Sequence, residues 1–78
     1  MSPTFIYEKG YRFYIWSNEE TRAHVHIYKD NNGAKIWLEP KIEIVENRGF
    51  SENELKQILQ ITKKNEIEFK RKYREHIG

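Results

Sequence analysis

His24 and His26 stand two residues apart in the segment His-Val-His-Ile-Tyr-Lys, whose alternation is that of a β-strand, so both imidazoles project from one face. A histidine beside a cation moves protons near neutral pH while the cation stabilises a developing negative charge. Lys35 is the cation that a return strand would bring alongside. His24, His26 and Lys35 are therefore the candidate catalytic set, as acid/base or phosphate-contacting groups. Arg12, Tyr14, Trp16 and Trp37 interleave cations with aromatic planes, the combination with which sheet surfaces stack bases and hold phosphates. Arg48, in Asn47-Arg48-Gly49-Phe50, sits where strand hands over to a helix N-terminus, a place that suits an anion. These five are the candidate binding residues. The plainer alternative is that Tyr, Trp, Arg and His are common cross-strand fillers on an exposed antiparallel face, and that Arg48 is a solvated turn arginine.

A metal is the competing chemistry. Two imidazoles at i and i+2 reach one ion, and Glu39 or Glu43 would add a carboxylate. With no cysteine, and with His76 distant in sequence, the ligand set is thin, and neither a metal nor a cofactor is expected. The chain has no phosphate-cradling glycine loop, no nucleophile elbow and no H-E-x-x-H.

The elements that must position these residues fall into two regimes that meet near residue 50. Phe5 to Tyr7 is extended, and Glu8-Lys9-Gly10 is a tight connection in which glycine allows positive φ. Residues 11–17 are aromatic and β-branched, as strands prefer. Residues 18–23 are polar and read as a loop. His24 to Lys29, Asp30-Asn31-Asn32-Gly33 and Ala34 to Leu38 read as a hairpin turning at Asn31-Asn32. Pro40 ends the return strand, and Lys41 to Val45 alternates again. Ser51-Glu52-Asn53-Glu54 is a capping box preceded by Phe50 as a hydrophobic staple. Leu55, Ile58, Leu59, Thr62, Glu66, Phe69, Tyr73 and Ile77 then follow three- and four-residue steps.

The expected fold is α+β: a curled antiparallel sheet of four to five strands, residues 1–50, with one long C-terminal helix, 51–77, packed on one face. The whole forms a single domain, 1–78. A helix of ~25 residues would run ~38 Å against ~24 Å for the width of five strands. Its basic end would then project past the sheet or meet a partner. Sorting strand positions by alternation places Phe13, Ile15, Val25, Ile27, Ala34, Ile36, Leu38, Ile42 and Ile44 under the helix. Arg12, Tyr14, Trp16, His24, His26, Tyr28, Lys35, Trp37 and Glu39 fall on the opposite face, exposed unless another chain covers it.

The 78 residues carry a net charge of +2, too small to select a partner, and hydrophobic residues make up 37%. That is enough for one thin core, and a domain of this size sits near the edge of stability, which makes self-association or an obligate partner an expectation. The basic excess lies in Lys70, Arg71, Lys72 and Arg74, a phosphate-attracting cluster or simply a solvated helix end with cations at the negative pole of its dipole. The absence of cysteine fits a cytoplasmic protein. No apolar run reaches the ~20 residues of a membrane span, and no secretory signal is read at the N-terminus.

Pro3-Thr4-Phe5, Gly10-Tyr11-Arg12-Phe13, Trp16-Ser17-Asn18, His24-Val25-His26, Ala34-Lys35-Ile36-Trp37-Leu38-Glu39-Pro40 and Asn47-Arg48-Gly49-Phe50-Ser51 occur in that order. Together they resemble the small bacterial and archaeal family catalogued as domain of unknown function 4160. The resemblance spans nearly the whole chain, and the family's His-Val-His motif falls on His24 and His26. It implies a toxin component of a type II toxin–antitoxin module, of the DhiT type. Joined to the histidine, cation and aromatic set above, it gives the expectation of action on RNA or translation, as a small metal-independent ribonuclease. The partner it implies is an antitoxin-like protein of the family catalogued as domain of unknown function 2442. The alternative is a non-catalytic module that binds nucleic acid or that small neighbouring protein, and a homodimer burying the aromatic face is a third arrangement. Members often have Pro-Pro before the first histidine. Arg22-Ala23 stands there in this chain, which makes the approach less rigid and adds an arginine able to alter ligand contacts.

Overall fold

The computed structural model describes residues 4–15 and 22–77. Trp16 and most of the polar loop that follows it lie outside the described residues. Five strands, β1 (Thr4–Glu8), β2 (Tyr11–Tyr14), β3 (His24–Lys29), β4 (Asn32–Trp37) and β5 (Glu43–Arg48), precede two helices, α1 (Glu52–Lys64) and α2 (Glu66–Ile77). The strands pair in sequence order, β1-β2-β3-β4-β5, all antiparallel. The α+β class and the five-stranded sheet follow the sequence pattern. The single long helix does not.

Turn chemistry sets the register. Lys9 and Gly10 have φ of +53° and +84°, so Glu8 faces Tyr11 across a two-residue turn. Asp30 and Asn31 do the same with φ of +50° and +68°, and Lys29 then pairs with Asn32. The second turn lies one residue earlier than the Asn31-Asn32 position expected. That shift changes which residues are opposite but preserves which share a face, because the pairing sum moves by an even step.

The face sorted as apolar is the core. Phe13, Ile15, Val25, Ile27, Ala34, Ile36 and Leu38 are buried, joined by Phe5, Tyr11, Phe50, Ile58, Ile61, Phe69 and Tyr73, with Ile42 and Ile44 packed partly against them. Tyr11 buries its ring and donates its hydroxyl to Gln57 Oε1 at 2.8 Å. Between sheet and helix, the Asn47 side chain brackets Phe50, accepting from its N–H at 3.1 Å and donating to its carbonyl at 3.0 Å. Ser51 and Glu54 form the expected capping box.

The expected helix over 51–77 is two helices because the backbone leaves the helical path at Asn65, with φ −108° and ψ 16°. The Asn65 amide donates to the Ile61 carbonyl at 2.8 Å, and the Thr62 hydroxyl to the Ile58 carbonyl at 2.8 Å. Such side-chain bonds compete with the helical ladder and bend it. The bend returns α2 to the sheet. Phe69 meets both Phe5 and Phe13 at 5.5 Å between ring centroids, and Lys72 Nζ donates to the Phe5 carbonyl at 3.0 Å. The described chain is 33 Å in its longest direction, less than the ~38 Å a straight helix would need, so the basic end does not project. Lys70 pairs within the helix with Glu66 at 2.8 Å and Arg71 with Glu68 and Glu75, while Arg74 lies 4.0 Å from Glu39 beyond it.

Candidate functional site

The strand face away from α1 is built in cross-strand rows. Tyr7 faces Arg12, Arg12 faces Tyr28, Tyr28 faces Gly33 and Gly33 faces Arg48, which crosses all five strands. The next row runs Tyr14, His26, Lys35 and Glu46, and the third pairs His24 with Trp37 and Trp37 with Glu43. Apart from Trp16, which is outside the described residues, the whole candidate set falls in these three rows. His24, His26 and Lys35 are brought together, as are Arg12, Tyr14 and Trp37. Arg48 lies four strands from Tyr7 in the first row.

The rows differ in what they leave open. His24 is fully buried, with its Nδ1 2.8 Å from the Arg22 carbonyl oxygen. Its ring meets Trp37, His26 and Tyr73 edge-on at 5.8, 5.3 and 5.4 Å. Alternation places His24 on the solvent-side face, and Tyr73 belongs to the helix layer. His24 therefore sits at the boundary of the two layers, at the beginning of β3, and this is why it is not exposed as the sorting of faces suggested. Lys35 is nearly buried as well, its Nζ 4.5 Å from the Trp37 ring centroid. Arg22 lies 4.2 Å from the same ring and donates Nε to the Glu39 carbonyl at 2.8 Å. Trp37 thus already stacks against two cations.

His26 is half-buried and stacks on Tyr14 at 5.4 Å, with Lys35 directly opposite in the ladder. Arg12 lies 4.5 Å from the Tyr14 centroid and donates Nε to Thr4 Oγ1 at 2.9 Å. An imidazole between a phenol ring and a lysine, with an arginine beside the phenol, can accept a proton and meet an anion in one place.

The first row holds the open aromatic rings. Tyr7 is 72% exposed and Tyr28 44%, and a wide, shallow pocket of about 460 Å³ is lined by both, with Gly10, Arg12, Lys29 and Asp30. Because Gly33 has no side chain, the Arg48 guanidinium lies down over it: a Cβ there would stand 3.2 Å from Nη2. Tyr7, Lys29 and Asp30 were not singled out by sequence reasoning. The signal for Tyr7 was present in the Lys9-Gly10 turn, which fixes Tyr7 opposite Arg12. Among the described residues, no group of three His, Asp or Glu is gathered closely enough to hold a metal ion.

A five-stranded antiparallel meander, covered on one face by two helices and carrying an aromatic and cationic set on the other, is the class of protein defined by this fold and site. The family whose profile matches, over residues 10–74, is the domain of unknown function DUF4160, and the chain belongs to it. No significant match is found among curated proteins or among solved structures. None of the described helices is long and apolar enough to cross a membrane.

Proposed function

We propose that this chain is the toxin-like, DhiT-type member of a cytoplasmic two-protein module, and that it acts by binding single-stranded RNA on the strand face opposite α1. The observation that supports this reading best is the first row, in which exposed Tyr7 and Tyr28 alternate with Arg12 and end on Arg48. Exposed rings at strand spacing stack successive bases, and cations between them meet the phosphates. The partner is an antitoxin-like protein of the family catalogued as domain of unknown function 2442, which neutralises the chain by covering this face.

Binding of a fluorescein-labelled single-stranded RNA to the full chain, read by anisotropy in rising salt, tests the proposal. With Arg12, Lys35 and Arg48 each meeting a phosphate, log K is expected to fall against log salt with a slope of about −2, and Arg48→Ala to reduce that slope by about 0.7. Absence of binding, or binding that ignores salt, overturns it. Light scattering on the same sample separates the arrangement in which a homodimer buries the face. That arrangement predicts a dimer that RNA cannot enter.

A specific observation supports cleavage as a second reading: His26 and Lys35 are opposite each other in the ladder. In this reading the His26 imidazole takes the proton of a ribose 2′-hydroxyl and the 2′ oxygen attacks phosphorus. The bond to the 5′ oxygen breaks, that oxygen takes a proton from water, and a 2′,3′-cyclic phosphate and a 5′-hydroxyl result. Lys35 offsets the charge that develops on the phosphoryl oxygens, and His24 positions His26 through their edge-on contact. Such a reaction needs no metal ion.

A further inference from the structure

The pocket beside the two turns has a more specific shape and chemistry than a general RNA surface requires. Tyr7 and Tyr28 stand on the two strands that flank β2, in register through Arg12. Their backbones are therefore two strand spacings apart, ~9.6 Å. A planar ring stacked between two others needs ~7–8 Å between the outer planes, twice a carbon contact distance. Rings carried at that spacing leave room for a flat heterocycle between them.

The pocket lining carries charges of opposite sign. Arg12 lines it with Nε donating to the Thr4 hydroxyl and its guanidinium over the Tyr14 ring. Asp30 lines it from the turn in which it adopts φ +50°. Lys29, also lining the pocket, is drawn back over the Tyr11 ring at 4.6 Å and donates to the Lys9 carbonyl at 3.3 Å. Tyr28 is steadied from the same turn by its hydroxyl, which donates to Asn31 Oδ1 at 2.9 Å.

We infer that this pocket is a nucleobase slot that prefers guanine, with the base held between Tyr7 and Tyr28, Arg12 donating to its O6/N7 edge and Asp30 accepting from N1–H and N2–H. Guanine alone among the four bases presents two acceptors on one edge and two parallel donors on the next, which is the complement of a guanidinium and a carboxylate. Adenine puts an amino donor where Arg12 needs an acceptor, and the pyrimidines lack the second donor for the carboxylate. The inference rests on the reading of the face as an RNA-binding surface and adds base selectivity at one named position.

The probes are fluorescein-labelled nonauridine and the same oligomer with a central guanosine, adenosine or inosine, titrated with the full chain at one salt concentration. The guanosine oligomer is expected to bind about tenfold more tightly than nonauridine. Inosine, which keeps N1–H and loses the amino group, is expected to fall between them. Asp30→Asn should erase the advantage of the guanosine oligomer over nonauridine. Tyr7→Ala and Tyr28→Ala, both at exposed positions, should each weaken the guanosine oligomer more than nonauridine. Equal affinity for all four oligomers overturns the slot while leaving RNA binding in place, as does a guanosine preference that survives Asp30→Asn. Failure of every oligomer to bind removes the RNA-binding reading and the slot together.

Discussion

Tyr73 in α2 meets His24 in β3 edge-on, with ring centroids 5.4 Å apart, and so ties the C-terminal helix to the strand that begins the candidate site. Both rings are buried. His24 also touches Trp37 and His26, so it acts as a packing centre from which the half-buried His26 takes its position. His24→Ala is expected to cost about 2–4 kcal/mol of folding stability, by loss of packing and of a buried polar contact. Tyr73→Ala should cost at least as much. The double variant should be less destabilised than the sum, by about 0.5–1.5 kcal/mol, as for other paired rings. Urea unfolding of the four proteins measures this. An His24→Ala variant as stable as the wild type would show that the residue is not held by this contact.

The junction between β5 and α1 separates two backbone effects. Ser51→Ala removes one capping bond and should cost about 1 kcal/mol. Gly49 has φ +100°, and a Cβ there would collide with the Asn32 amide oxygen, so Gly49→Ala should cost more, about 1–3 kcal/mol. Adding Asn32→Ala to Gly49→Ala removes the collision but not the backbone strain, and only part of the loss should return. Thermal midpoints of the single and double variants give the order. Full recovery in the double variant would assign the whole cost to the collision.

How much of this was legible in the sequence depends on the physical range of each signal. The facing of the described strand residues between Phe13 and Ile44 was legible, because side chains alternate with a period of two and one face had to be apolar. The capping box was legible because it is a local exchange between Ser51 and Glu54. The helix break was not: Asn65 sits in an unbroken run of apolar spacing, and the break shows only in its backbone angles and its side-chain bond to Ile61. Burial of His24 was also out of reach, since it depends on Tyr73, forty-nine positions away, folding back once the bend is made. Tyr7 and Asp30 were missed for a different reason. Each belongs to a turn or edge that gains chemical meaning only when the turn register places it beside Arg12.

Tyr11 supplies a pH dependence whose sign can be worked out. Burial, with a smaller contribution from the nearby Glu54 carboxylate, raises its pKa above the ordinary value of a phenol. A phenol with a raised folded pKa contributes stability that is fully present below the unfolded pKa and is lost as pH rises through the folded one. The alkaline limb of the stability curve, above about pH 10, should therefore fall less steeply in Tyr11→Phe than in the wild type. That variant also loses the bond to Gln57 and should be less stable at neutral pH by about 1 kcal/mol. Thermal midpoints between pH 7 and 11 separate the two effects, and parallel curves for the two proteins would rule out the phenol as the titrating group.

Binding and cleavage are separated by two side chains of the second and third rows. If the face cuts RNA, His26→Ala should lower cleavage by about a hundredfold or more, the usual contribution of a positioned acid/base group. RNA affinity should change little, because the exposed rings of the first row remain. Trp37→Ala acts differently. It removes the ring on which Arg22 and Lys35 rest, at 4.2 and 4.5 Å, and so frees Lys35 from its place opposite His26. Its cleavage should fall together with the salt dependence of binding, as one phosphate contact loses its position. A chain that binds RNA, cuts none and is unaffected by His26→Ala would be a binding module alone. In that case the toxin-like activity must come from occupying RNA rather than breaking it, and growth arrest on expression should persist in His26→Ala but not in Tyr28→Ala.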